Sequence, residues 1–270
     1  MNQQPSTRKK WLTRALKLLI LVLVVWAVRR TLLQAWGQLH GGEQQWQFRP
    51  GWIAVAGALY LVGLLPAALF WHRVLRVLGQ DARLGKTVRA HLVGHLGKYV
   101  PGKAMVVIIR TGLVRGRRVH TGVAAASVFF ETLTMMAVGA FLAAAFLAIG
   151  FRGQTAKFWG AVGLMVLAGL PTLPPVFKRL AKAAGVGKSD PAVAEKIDQL
   201  GFGTLLTGWA LMALGWVLLG LSYWATLRAM GVAGLDPIGE LPRYTASVSL
   251  AMVAGFLLLV LPGGIGVREA

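Results

Sequence analysis

Long apolar stretches separated by short basic segments set the pattern of this chain, and their lengths predict helices rather than strands. A helix that crosses a bilayer needs about 20 mostly apolar residues. Residues 12–28 meet that length, preceded by Arg8, Lys9 and Lys10 and closed by Arg29-Arg30. A basic start before an apolar run also suits a signal peptide. Charges follow this run directly, however, and no small-x-small cleavage site does, which predicts a retained anchor helix. Residues 50–71 carry no charge, and 119–150 carry one, Glu131. Residues 158–177 form a fourth candidate, kinked by Pro171, Pro174 and Pro175. Residues 202–227 are again free of charge, and 244–261 are apolar up to Pro262-Gly263-Gly264. Within the basic linker 178–200, Ser189-Asp190-Pro191 predicts the start of a short surface helix through Gln199.

The polar segments orient these spans. Cytoplasmic loops hold an excess of Lys and Arg. The N-terminus (Arg8, Lys9, Lys10, Arg14, Lys17) meets that description. So do the loop after the second span (Arg73, Arg76, Arg83, Lys86, Arg89) and the loop after residue 177 (Lys178, Arg179, Lys182, Lys188, Lys196). Segment 87–118 fits no simple span: it is half polar, broken by Pro101-Gly102, and flanked at both ends by basic residues. Both ends therefore belong on one side, and a re-entrant hairpin over about 88–114 is the economical solution. Irregular backbone at membrane depth survives only inside protein or beside a water-filled cavity.

The break at Pro262 stands to the second half of the chain as Pro101 stands to the first. On the orientation above, the two hairpins enter from opposite faces, the arrangement of inverted-repeat transporters with a midplane site. The rival is two unrelated kinks, with 244–261 an ordinary span. The predicted fold is thus an all-α polytopic membrane bundle: a basic N-terminus (1–11), a first membrane repeat (12–150) and a second (151–270). A helix follows the first hairpin and none follows Arg268-Glu269-Ala270, so the second repeat is expected to be truncated.

Composition sharpens this picture. Of 270 residues only 14% are charged, with 29 Lys+Arg against 9 Asp+Glu, whereas soluble domains carry about 25% charge. A net charge of +20 would suit nucleic-acid binding in a soluble protein. Here the cations lie between apolar runs, where they face anionic lipid instead. The chain has no cysteine, which excludes disulfides and thiolate metal sites.

Glu131 is the sharpest chemical signal, the one acidic residue inside an apolar span. With the helix entering near Thr121, a rise of 1.5 Å per residue places it roughly 15 Å deep. An ionised carboxylate there costs at least about 2.5–3.5 kcal/mol, so it should face the bundle interior beside a partner. It serves as counter-ion to a hairpin cation, proton carrier or contact for a cationic headgroup, or else as a purely structural ion pair or neutral acid. Pro101 and Pro262 suit the first turn of a half-helix, whose free N–H groups and dipole attract phosphate. Lys98, Lys103 and Arg110 would complete a cradle for a lipid phosphate, with Arg268 its mirror-side counterpart paired to Glu269; the alternative is that the lysines snorkel to the interface. His91 and His95 share a helix face, but no acidic residue lies within a turn, so interfacial histidines are expected rather than metal ligands. The ten tryptophans lie mostly near span ends and read as an aromatic belt. No Walker loop, dinucleotide glycine motif, nucleophile elbow or carboxylate pair is present, so neither catalysis nor a cofactor is expected, and transport would be passive or ion-coupled.

The run Gly97-Lys98-Tyr99-Val100-Pro101-Gly102-Lys103, then Arg110, Glu131 and Leu261-Pro262-Gly263-Gly264-Ile265-Gly266-Val267-Arg268-Glu269, resembles the lysylphosphatidylglycerol synthase transmembrane-region family. That flippase-like domain is also found in the multiple peptide resistance factor. The likeness runs from about residue 12 to the end. It implies translocation or handling of a phospholipid or polyprenyl-phosphate headgroup in the inner cell membrane, with the N-terminus cytoplasmic. The expected substrate-binding set is Lys98, Tyr99, Pro101, Gly102, Lys103, Arg110, Glu131, Pro262, Gly263, Gly264, Arg268 and Glu269. Members of the family often place a basic residue directly after the intramembrane glutamate, where this chain has Thr132. The alternative function is a non-transporting scaffold for a glycosyltransferase or lipid synthase.

Overall fold

The computed structural model describes residues 49–99, 104–116, 119–150, 153–183, 191–232 and 234–258. The anchor helix expected over 12–28 and the second break at 262–264 lie outside them. The described residues are all-helical, with no strand beyond an isolated bridge between Gly116 and Val119.

Among the described residues three helices are long and apolar enough to cross a membrane: α1 (Pro50–Val77), α4 (Thr121–Gly150) and α8 (Phe202–Ala229). Between α1 and α4 lie α2 (Leu84–His95), a 3-10 turn (Leu96–Tyr99) and α3 (Ala104–Val114). α5 (Thr155–Gly169) runs through a 3-10 turn (Leu170–Thr172) into α6 (Pro174–Ala183), bent by 66°, and the two together are long enough for a fourth span. The bend follows from Pro171, Pro174 and Pro175, which remove backbone donors and block the preceding turn. α7 (Pro191–Ile197) and α9 (Leu241–Leu258) complete the described elements.

α1 and α8 lie antiparallel along their whole lengths. At one end the Arg49 N–H bonds the Ala229 carbonyl at 2.9 Å, and the Ser222 hydroxyl donates to the Ala56 carbonyl at 2.9 Å. At the other end the Phe70 ring lies on Gly208. Midway, a Cβ placed on Gly215 would sit 3.1 Å from the Gly63 carbonyl oxygen, so the two backbones nearly touch. Lipid tails are as apolar as leucine, so membrane helices associate through such close packing rather than through hydrophobic burial. α4 crosses the pair and is keyed to α8 by Trp216, whose indole N–H donates to the Met135 carbonyl at 2.9 Å while its ring fills the space over Gly139. α9 closes the other flank of α8, with Gly220 against the backbone of Thr245.

One expectation changes. The short helix α7 is not a surface element: Val193 and Ile197 are buried in a cluster with Phe130 and Phe177. Seven residues cannot advertise burial by periodicity, and the contact depends on α6 folding back over α4.

Candidate functional site

α2 and α3 form a tight antiparallel pair on the ends of α1 and α4. The seam is glycine-lined: the Arg110 side chain crosses Gly94, and a Cβ on Gly97 would meet the Val106 backbone nitrogen at 3.0 Å. Larger residues at either position would push α3 away and pull Arg110 out of its place.

Arg110 is the hub. It lies in the middle of the apolar helix α3, yet it is only 2% exposed. Its Nη1 donates to Glu131 Oε2 at 2.6 Å, and the two side chains are 3% and 2% exposed. Its Nη2 meets His91 Nδ1, and its guanidinium lies 4.7 Å above the ring of Trp71. Because a guanidinium can only donate, His91 Nδ1 must be the acceptor, which puts the imidazole proton on Nε2 in the neutral ring. Among the described residues neither His91 Nε2 nor Arg110 Nε has a hydrogen-bond partner, although both are buried. Trp71 is fixed in turn: its indole N–H donates to Ser127 Oγ at 2.9 Å, and Ser127 donates to the Ala124 carbonyl at 2.7 Å. Thr132, directly after the glutamate, turns its hydroxyl onto Glu131 Oε2 at 3.3 Å.

Four helices therefore converge on one buried charge pair: Trp71 from α1, His91 from α2, Arg110 from α3 and Glu131 from α4. A cation and an anion removed from water must be paired and hydrogen-bonded to be tolerated. Here the guanidinium meets carboxylate, imidazole and indole face together, a geometry that suits its planar delocalised charge and that an ammonium would not reproduce.

Of the residues marked by the sequence, the structure brings Arg110 and Glu131 into contact. Lys98 and Tyr99 lie on the 3-10 turn that follows α2, where the structure describes their backbone only. Pro101, Gly102, Lys103, Pro262, Gly263, Gly264, Arg268 and Glu269 lie outside the described residues. Arg110 does not stand open towards the break but is consumed by Glu131. Two members of the hub were misplaced by sequence reasoning. His91 is fully buried rather than interfacial, and Trp71 is fully buried rather than part of a belt. The shared helix face of His91 and His95 was visible in their spacing, but what that face meets depends on α3 returning across α2. Their rings lie 5.4 Å apart, and among the described residues no His, Asp and Glu side chains gather as a metal site.

A multi-helix membrane protein with a buried Arg–Glu pair between a short apolar helix and a spanning one is the class these features define. The chain belongs to the lysylphosphatidylglycerol synthase TM region family, whose model matches residues 14–270, nearly all of it. No curated protein and no solved structure matches the chain. Family and fold together make this a multi-pass membrane protein related to lipid handling.

Proposed function

We propose that the chain is a flippase-like module that moves or shelters a phospholipid or polyprenyl-phosphate headgroup, without covalent chemistry of its own. The observation that carries this reading is the buried Arg110–Glu131 pair, held at 2.6 Å between α3 and the spanning helix α4. Ionisable groups at membrane depth mark substrate and ion pathways. In this reading α2 and α3 are the arms of a re-entrant hairpin. A phosphate oxyanion arriving at Pro101-Gly102, between Lys98 and Lys103, competes with Glu131 for Arg110. The segment around Pro262-Gly263-Gly264, with Arg268 and Glu269, is the inverted-repeat counterpart from the opposite face. The protein sits in the inner cell membrane with its N-terminus cytoplasmic.

Reconstitution into liposomes carrying a fluorescent phosphatidylglycerol, with a membrane-impermeant quencher outside, tests this. Wild-type protein should raise the quenched fraction above the outer-leaflet share, and Glu131→Gln should slow that rise. Wild-type protein that leaves every tested lipid in its leaflet would overturn the reading. Opposed hairpins are tested by single cysteines in this cysteine-free chain: Val100→Cys and Gly102→Cys should react only from the cytoplasm, Gly263→Cys and Ile265→Cys only from outside. The closure of the Arg110–Glu131 pair favours a second reading, a scaffold for a glycosyltransferase or lipid synthase. A scaffold would keep its partner in both Glu131→Gln and Lys98→Ala, provided each variant folds.

A further inference from the structure

The opposite end of α1 carries a second arginine–tryptophan pair that the hub does not use. Arg228, in the last turn of α8, lies 5.5 Å above the ring of Trp52 in the first turn of α1. Trp52 in turn meets Trp224 edge-on, with ring centroids 5.1 Å apart. Trp224 and Arg228 are one helical turn apart and share a face of α8. Arg228 Nε and Trp224 Nε1 are both buried, and neither has an acceptor among the described residues. Buried donors without an acceptor are costly, and because both side chains are only half-buried, a small shift of either opens its donor to an acceptor at the surface.

The nearby acids do not supply one. The α8–α9 connection contains two carboxylates, Asp236 and Glu240. Asp236 accepts the Ile238 backbone N–H at 2.9 Å, and that bond, with a second from Gly239, holds its carboxyl below the ordinary carboxylate value. Glu240 takes the Tyr244 hydroxyl at 2.6 Å and Arg243 at 3.7 Å. Arg228 has no carboxylate partner among the described residues. The electrostatics suit an added anion: the N-terminal end of α1 presents its positive pole, and Arg228 offsets the negative pole of α8. Along α1, at 1.5 Å per residue, Trp52 lies roughly 28 Å from Trp71. Trp52 sits in the first turn of a spanning helix beside the exposed Arg49, so the second pair belongs at the headgroup level of the leaflet where α1 begins.

We infer that Trp52, Trp224 and Arg228 form a binding site for a phosphate group, supplied by the phosphodiester of a phospholipid in that leaflet. On binding, the half-buried Arg228 and Trp224 side chains turn Nε and Nε1 onto its oxygens, and the face of Trp52 holds the guanidinium flat behind them. This site stands apart from the Arg110–Glu131 reading, because lipid retention here involves no transport step.

Native mass spectrometry of the full chain in detergent tests it, with dioctanoyl phosphatidylglycerol, dioctanoylglycerol and inorganic phosphate as probes. Phosphatidylglycerol should be retained and dioctanoylglycerol should not. Loss of a charge-assisted hydrogen bond in Arg228→Gln should weaken retention about tenfold, and Trp224→Phe, lacking one neutral donor, about fivefold. Arg228→Lys should fall between wild type and Arg228→Gln, and Arg49→Gln, an exposed cation at the same end, should bind as wild type. Displacement of the lipid by equimolar inorganic phosphate would support the same recognition chemistry and identify free phosphate as its source. Equal retention by wild type, Arg228→Gln and Trp224→Phe would overturn the site. So would equal losses in Arg49→Gln and Arg228→Gln, which would reduce the effect to surface charge. Should Arg228→Gln fail to fold, Trp224→Phe and Arg228→Lys carry the comparison.

Discussion

Removing one half of the buried ion pair should cost far more than removing both. Arg110 and Glu131 are 3% and 2% exposed at their side chains and bonded at 2.6 Å. Glu131→Gln leaves a guanidinium without its counter-charge, supported only by His91 and the Trp71 ring. Arg110→Met leaves a carboxylate whose remaining hydrogen-bond partner among the described residues is the Thr132 hydroxyl at 3.3 Å. Stranding one charge of a buried pair costs about 3–5 kcal/mol, whereas replacing the pair by apolar groups is often neutral or stabilising. Arg110→Met/Glu131→Leu should therefore sit within about 1.5 kcal/mol of wild type, allowing for imperfect repacking. Each single variant would shift the unfolding equilibrium by about a hundredfold or more at 1.4 kcal/mol per tenfold. The assay is denaturant titration of the full chain in detergent micelles, followed by helical circular dichroism and tryptophan emission. Single costs below about 1 kcal/mol that simply add in the double variant would refute the argument, since independent sites add and coupled ones do not.

Further expectations concern single contacts. Ser127→Ala removes the acceptor of the Trp71 indole and should destabilise by about 1–3 kcal/mol, the cost of an orphaned buried donor, read in the same titration. His91→Leu takes the acceptor from Arg110 Nη2 and should cost a similar ~1–3 kcal/mol, whereas His91→Gln, which keeps an acceptor oxygen, should recover part of it. Gly220→Ala would place its Cβ 2.9 Å from the Thr245 backbone nitrogen and should cost about 1–3 kcal/mol by overpacking. Gly57→Ala, whose Cβ meets nothing within 4 Å, should be neutral to stabilising in the same assay. The turn after Asp236 should lose hydrogen-exchange protection on acidification: a carboxyl depressed in the folded turn stabilises above its unfolded value of about 3.9, and that contribution fades as pH falls through the folded one. Asp236→Asn should remove that pH dependence.

The spans were legible because their signal is strong and local. The charge-free runs at 50–71 and 202–227 lie inside α1 and α8, and 119–150 corresponds to α4. The Pro171, Pro174 and Pro175 cluster announced a kink, and the structure resolves it into a 66° bend between α5 and α6. The carboxylate of Glu131 demanded a partner on energetic grounds alone, but the choice among Lys98, Lys103 and Arg110 depended on tertiary placement. Arg110 was settled by Gly94, because only a residue without a side chain lets the arginine cross α2. His91 and Trp71 escaped because each lies at the edge of a polar segment, where hydropathy predicts an interface. Helices returning over them converted that edge into an interior.

The spacing of Trp52 and Trp71 makes α1 a ruler. Each tryptophan carries an arginine contributed by another helix, Arg228 at one end and Arg110 at the other, so α1 cannot slide along the bilayer normal without dragging both neighbours. A helix pinned in this way cannot answer a thinner bilayer by tilting alone, as a free span would; the lipid around it must thicken instead, at a cost that rises with each ångström of mismatch. The protein should therefore concentrate in bilayers that match its fixed span, and bilayer thickness becomes a variable that sorts it among membranes.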